Sequence, residues 1–518
     1  MDVDDPLSTG PAMVPDLIKL DDIPDNFLQR VETDLLETSV FQSATATRGG
    51  FARFELAQKG FLHSHSKILL SVVPPAGQAG YALLPANIGI ASLIDRAVLK
   101  VRKSGQVIND IQDFGHFHAI KSAQISNETN REREQYMTGR MMNKEFKYYS
   151  DDGSAGGAAG PEALFNRDLS FGYGLDNGRD YTGTGVARGE SQQGLTMPFA
   201  QIDAASPAES PTYSIDISDL FLFMKTQSLP LYMIDQGLTI ELHLSQAAHS
   251  RVVRGTGQVG GVSPSYVVDI NELKLVADYI HYTEDDAMNR YREANPVIDL
   301  TFSDYRLSKN SRSQGEINTG FVRQLGMNNR VVPRVTTIIS QESDADSSVF
   351  GDGGLVNKYN MISPVRTAEA VGVATARALS YNIRYKSRFE FSQPITNKAQ
   401  AFTQLTQSEG LPFVSMQEYS SDGGGYLVGR SGAALQTPTT SSTFEGKAQN
   451  TQLGGHFFIL GTRLTNGRVA NDGVELHLGA SLPQTGGAGA DTPYIVRSYL
   501  EYVRRARLEN GEMEVMNA

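Results

Sequence analysis

The sequence predicts an all-β protein: two consecutive eight-stranded antiparallel jelly rolls with long loops and a few short helices. Three observations predict it. Strand-length apolar or alternating runs recur along most of the 518 residues, separated by Gly- and Pro-containing connections. The length suits two domains better than one. The tetrapeptide Glu-Leu-His-Leu occurs once in each half, within GLTIELHLS from Gly237 and within GVELHLGAS from Gly473.

Composition narrows the function classes. Hydrophobic residues at 40% and charged residues at 20% describe a folded chain. There is no Cys, so disulfides, thiol chemistry and zinc-thiolate sites are excluded. A net charge of −12 is a poor match to nucleic-acid wrapping, which needs clustered Lys and Arg. The N-terminus lacks the basic start and apolar core of a signal peptide, and no apolar run reaches the roughly 18 residues needed to span a bilayer. Synthesis in a cytosol or nucleus, without secretion, is expected.

The elements follow in order. Residues 1–40 read as an arm broken by Pro6, Pro11, Pro15 and Pro24. Within it Phe27, Val31, Leu35 and Leu36 have helical spacing, with Asp25 as N-cap, so a short helix is expected. A first jelly roll spans 41–284. GGFARFELAQKGFLHSHSKILLSVVPP gives two strands, and SLIDRAVLKVRKSGQVIND gives a hairpin turning at Ser104-Gly105. Helical patches follow near residues 110–122 and 128–142. The Gly-rich stretch 151–193 has no period and reads as a projecting insertion loop. The acidic segment 285–296 is a helix-like linker ending at Pro296, and 297–518 forms a second jelly roll with a C-terminal tail.

About one chance tetrapeptide match is expected in a chain of this length, so the context of the repeat carries the weight. Ile240, Leu242 and Leu244 alternate with Glu241 and His243; Val474, Leu476 and Leu478 alternate with Glu475 and His477. An aromatic-aliphatic run read as a strand precedes each, LFLFM from Leu220 and HFFIL from His456. A paired-tyrosine strand follows each, with Tyr279 and Tyr282 matched to Tyr499 and Tyr502. A duplicated unit of roughly 200 residues, mostly strands, predicts two jelly rolls.

Chemical motifs are weak. GTGQVG from Gly255 has dinucleotide-loop spacing, but a Pro-containing strand follows where a helix is required, so a turn is expected. His63 and His65, and less so His116 and His118, are the weak metal candidates, because i and i+2 share a strand face; a polar face or subunit contact is the competing reading. ESDADSS from Glu342 lacks the Gly and terminal Glu of a calcium loop. No nucleophile elbow or Walker loop is present. No cofactor, no metal and no catalytic residue is expected.

ADYIHYTEDDAMNRYREA, from Ala277, resembles the end of the first roll in double jelly-roll major capsid proteins of double-stranded DNA viruses: large eukaryotic DNA viruses, virophages and polinton-like viruses. Asp278, Tyr279, Ile280, Tyr282, Glu284, Asp285 and Arg290 carry the match, while His281 and Thr283 depart from it. SLIDRAVLKVRKSGQVIND and ITNKAQAF (from Ile395) are also similar to family segments. The resemblance implies a non-enzymatic capsid protein forming pseudo-hexagonal homotrimeric capsomers that tile an icosahedral virion. Its implied partners are itself, neighbouring capsomers, and penton and minor capsid proteins. Residues 1–40 would meet an internal membrane or a minor protein, and no direct nucleic-acid binding is expected. A β-sandwich carbohydrate-active or carbohydrate-binding protein is the alternative, and the absence of Trp counts against it.

Overall fold

A computed structural model of the chain describes residues 29–45, 48–73, 81–85, 88–124, 133, 137–139, 195–198, 212–224, 228–246, 253–255, 263–264, 267–268, 272–282, 285–341, 379–409, 459–464, 473–480 and 494–517. The first half contains β1 (Gln29–Glu37), β2 (Val40–Gln42), β3 (Gly50–Glu55), β4 (Phe61–Leu62), β5 (Lys67–Val73), β6 (Tyr81–Pro85), β7 (Ile94–Val101) and β8 (Val107–Gln112). It continues with β9 (Leu195–Pro198), β10 (Thr212–Asp216), β11 (Leu229–Pro230), β12 (Leu238–Leu244), β13 (Val253–Gly255), β14 (Ser263–Pro264), β15 (Val267–Val268) and β16 (Lys274–Tyr282). The second half contains β17 (Val297–Arg312), β18 (Phe321–Gly326), β19 (Arg334–Gln341), β20 (Leu379–Tyr385), β21 (Arg388–Phe389), β22 (Ile459–Arg463), β23 (Val474–Ala480), β24 (Tyr494–Glu509) and β25 (Glu512–Asn517). Helices are α1 (Phe114–Gln124), α2 (Ile217–Leu220), α3 (Asp285–Ala294), α4 (Gln314–Thr319) and α5 (Lys398–Glu409).

Four sheets make two sandwiches. In the first roll one sheet runs β1, β16, β5, β10, with β4 lying beside β16 beyond the end of β5; the facing sheet runs β2, β3, β12, β7, β8. In the second roll the sheets run β17, β24, β19, β22 and β18, β23, β20, β21, and β25 folds back on β24. A fifth, small sheet joins β14, β13, β6 and β9. Numbered by order of appearance within a roll, both rolls pair their eight principal strands identically: first with eighth, eighth with third, third with sixth; second with seventh, seventh with fourth, fourth with fifth. That is the jelly-roll order, and all these pairings are antiparallel.

Alternation sets each core. On β12, Ile240 and Leu242 sit between Phe54 and Ala52 of β3 and Leu99 and Ala97 of β7, all fully buried or nearly so. The expected hairpin of β7 and β8 forms, because Gly105 supplies the positive φ (70°) that its turn requires. In the second roll Leu476 and Leu478 face Ile383 and Tyr381, and the Tyr381 hydroxyl reaches Thr462 on the opposite sheet at 2.6 Å.

Three expectations change. The segment read as a helix in the N-terminal arm is strand β1, the edge of the first roll, pairing residue for residue with β16 from Gln29↔Tyr282 to Glu37↔Lys274. A spacing of four fits a strand face as well as a helix face, so Val31 and Leu35 gave an ambiguous signal, and sheet pairing decided it. The helix expected from residue 110 starts only at Phe114, since β8 runs to Gln112. LFLFM is not a strand: α2 ends at Leu220 and a 3-10 turn spans Leu222–Met224. The segment read as a helix-like linker does form a helix, α3. The insertion at 151–193 and ESDADSS lie outside the described residues, as does GTGQVG beyond Gly255.

Deleting residues 1–37 removes a whole strand and uncovers β16. The unfolding midpoint by scanning calorimetry should fall by about 5 °C or more; a detachable helical arm would leave it unchanged.

Candidate functional site

Residues that chain order separates by hundreds of positions meet at a seam between the rolls. The corner of the first roll, β8 followed by α1, closes over β17 and β24 of the second. Asp113 sits between β8 and α1 with φ of 51°, a left-handed conformation that Asp tolerates better than most residues. There it caps α1, its carbonyl accepting from Phe117 N at 3.2 Å. Its carboxylate accepts from His116 Nδ1 at 2.6 Å and from Arg497 Nε at 2.6 Å. Arg497 is only 4% exposed and also donates to Ser340 Oγ, while the Tyr499 hydroxyl donates to the Asp113 carbonyl at 3.1 Å. Burial by itself would raise the Asp113 carboxyl, but Arg497 and His116 outweigh it and hold the group well below the usual carboxylate range.

A second node lies on the other side of β17. Asp304 is buried, and its carboxylate accepts from Asn109 Nδ2 (3.1 Å), Tyr305 N (2.9 Å), the Tyr502 hydroxyl (2.9 Å) and Arg504 Nη1 (2.9 Å). Arg504 reaches the first roll directly, donating to the Ile108 carbonyl at 2.7 Å and the Val107 carbonyl at 3.1 Å. Asn109 completes the node by accepting from Phe223 N at 3.2 Å. Aromatic contacts fill the space between the nodes: Phe117 on Tyr305 (4.8 Å) and on Tyr499 (5.7 Å), and Phe223 on Phe302 (4.8 Å). The C-terminal hairpin straps the joint: Gln106 exchanges two hydrogen bonds with the Val515 main chain, at 3.0 and 3.1 Å. Gly511 turns that hairpin at φ 81° against Asp235, where a Cβ would lie 2.2 Å from Oδ2. Each carboxylate at the seam is already engaged by arginine, histidine, tyrosine or amide donors, an arrangement suited to holding rather than reacting.

The residues singled out in the sequence are placed differently. Glu241 and Glu475 lie on seventh strands, on the face away from the core. Glu241 pairs with Arg53 at 2.8 Å and with Lys100, and Glu475 pairs with Arg384 at 2.9 Å. Burial would raise Glu241, but Lys100 and Arg53 outweigh it and lower its pKa. His243 packs edge-on against Phe51 at 5.3 Å, and His477 against Phe389 at 4.9 Å. The tyrosines lie on eighth strands but in opposite phase. Tyr279 points into its roll, its hydroxyl accepting from Ala57 N at 3.3 Å. Tyr499 points out of its roll onto α1, because its neighbour Leu500 shares the inward face with Val335 and Thr462. Tyr282 packs on Phe61 at 6.0 Å, whereas Tyr502 serves Asp304. The strands correspond; the tyrosine letters do not.

His63 and His65 do not share a strand face. They lie in the turn between β4 and β5, where His63 Nδ1 accepts from His65 N at 3.0 Å, and burial together with His65 lowers the His63 pKa. His116 and His118 are buried on α1, one on Asp113 and the other 3.3 Å from Ser122 Oγ. Among the described residues no group of three or more acidic or histidine side chains is placed to hold a metal ion. The charged seam residues Asp113, Asp304, Arg497 and Arg504 escaped the sequence reading, although a charge inside an apolar strand run, Asp304 in VIDLTFSDY and Arg497 in PYIVRSYL, was an available signal.

Two eight-stranded rolls joined through this seam define a double jelly-roll protein. In fold, the chain is similar to VP54 of PBCV-1, the crystal structure fitted into a reconstruction of the virophage Sputnik: TM-score 0.51, 10% identity, 96% of this chain and 98% of that one covered. It is also similar to the mavirus major capsid protein, with TM-score 0.48, 9% identity, and 94% and 90% covered. No family model and no curated protein matches the chain in sequence.

Arg497→Met leaves the largely buried Asp113 carboxylate without its guanidinium and should cost about 3 kcal/mol in urea denaturation. Because the Asp113 pKa is depressed on folding, its contribution is present above the ordinary carboxylate value near about 4 and is lost as pH falls through the folded value. The wild-type chain should therefore lose stability below about pH 4, and Arg497→Met should lose less of it over the same window.

Proposed function

We propose that the chain is a viral major capsid protein that assembles as homotrimeric capsomers and tiles an icosahedral virion. The observation that carries this reading is the same eight-strand order made twice in one chain and locked by a buried seam, in a fold similar to that of a protein fitted into a virophage particle. Two fused rolls per chain supply six rolls per trimer, which is a pseudo-hexagonal tile. The repeated order also supports a duplicated ancestral roll, with Glu241/His243 and Glu475/His477 as outer-face positions of corresponding strands rather than a repeated catalytic pair. The reading makes the protein structural and not enzymatic, located in the virion, with neighbouring capsomers, pentons and minor capsid proteins as partners. A charge of −12 suits a shell that does not grip the genome itself.

Multi-angle light scattering should give a mass of three chains, and negative-stain micrographs should show hexagonal outlines. A chain that stays monomeric at every concentration would overturn the reading.

A further inference from the structure

A polar cleft of about 560 Å³ opens beside the seam, where β8 of the first roll faces β17 and β24 of the second and the turn between β18 and β19 forms one wall. Strand alternation would place apolar side chains here. Leu500 points into the second roll, and Arg306 is paired with it directly across β17 and β24. Asp304, Tyr502 and Arg504 share that face. The inward face of the sheet therefore ends in charged groups instead of core. Three guanidinium groups (Arg306, Arg330, Arg504) and two carboxylates (Asp110, Asp304) line the cleft.

Both carboxylates are engaged. Asp304 accepts from Arg504 at 2.9 Å, and Asp110 accepts from two nitrogens of Arg96 at 2.6 and 2.7 Å. Arg306 is exposed, meets neither of them and pairs with no carboxylate among the described residues; its guanidinium reaches Met327 Sδ at 3.9 Å. Arg330 lies over the Tyr502 ring at 5.3 Å, which fixes it at the wall of the cleft and covers a ring face that a nucleobase would otherwise stack on. The turn that carries Arg330 is held in left-handed backbone at Gly326 (φ 82°), Met327 (69°) and Asn329 (56°). Such conformations are unfavourable for residues other than glycine, and they collect at ligand clamps.

We propose that this cleft binds a free oligophosphate, a di- or triphosphate, with Arg306 and Arg330 holding its oxygens. A guanidinium presents paired N–H donors that match phosphate oxygens, and two such groups, from β17 and from the β18–β19 turn, match linked phosphoryl groups better than a single one. The volume is that of a small-molecule site and exceeds what one phosphate ion fills. A nucleic-acid strand needs a basic groove that tracks its backbone. Here the guanidinium groups sit in one cleft of a chain with net charge −12. Bound there, the ligand joins β17 and the β18–β19 turn of the second roll to β8 of the first, and so adds to the seam. The inference goes beyond the capsomer reading and does not depend on it.

Isothermal titration calorimetry of the full chain with pyrophosphate and with tripolyphosphate, at fixed ionic strength, should show one saturable site per chain. Saturating tripolyphosphate should also raise the unfolding midpoint, because it binds only the folded chain. Sodium sulfate, a single dianion, should bind at least about tenfold more weakly. Arg306→Gln and Arg330→Gln should each weaken tripolyphosphate binding by about tenfold or more. Arg306→Lys should lose most of the same affinity, because an ammonium cannot replace the paired donors. Arg306 is exposed and outside the Asp304 node, so Arg306→Gln should keep the unliganded midpoint, which separates loss of the site from loss of the fold. Arg388→Gln, on the exposed strand β21, should bind as the wild type does. No saturable binding, undiminished binding by Arg306→Gln, or a single-stranded DNA oligonucleotide that binds more tightly than tripolyphosphate overturns the inference. The mass by light scattering tests the capsomer reading separately, and neither result decides the other.

Discussion

The Asp113–Arg497 ion pair, buried where the rolls meet, is the constraint on which the rest of the structure depends. Each charge would be costly to bury by itself. Together, with His116, Ser340 and the Tyr499 hydroxyl completing the hydrogen bonding, they are accommodated, and they admit only one relative placement of the two rolls. Apolar packing such as Phe223 on Phe302 tolerates sliding; a carboxylate that must meet one guanidinium at 2.6 Å does not. Asp304 and Arg504 repeat the device on the other side of β17, so the edge strand is gripped from both faces.

That grip explains how an exposed sheet edge is managed. A strand of sixteen residues such as β17 would otherwise present a free row of backbone groups. Asn109 donates to the Ser303 carbonyl at 3.4 Å, and Arg504 spans the gap to the carbonyls of β8. The two edges are thus capped by side chains rather than by continuing the sheet, which keeps each roll a separate sandwich.

Much of the fold was legible because β-strand alternation is local. Ile240, Leu242, Leu476 and Leu478 announce their faces two residues at a time, and the phase read for both Glu-Leu-His-Leu strands is the phase they adopt. The tyrosine match misled because letters can align while phases oppose: a shift of one residue turns Tyr499 to the opposite sheet face from Tyr279. β1 misled because Val31 and Leu35, four apart, satisfy both periods. The His63/His65 pair misled because a turn, not a strand, carries it.

By itself, the sequence determined the all-β class, two consecutive rolls, the inward faces of their central strands, and the absence of thiol chemistry. These follow from composition and from contacts between near neighbours in the chain. Only the tertiary structure decided that residues 29–37 close the first sheet and that Asp113, Asn109, Asp304, Arg497 and Arg504 form one seam. The reason is distance along the chain. Asp113 and Arg497 are 384 residues apart, and nothing in the local pattern of either says which charge the other will meet.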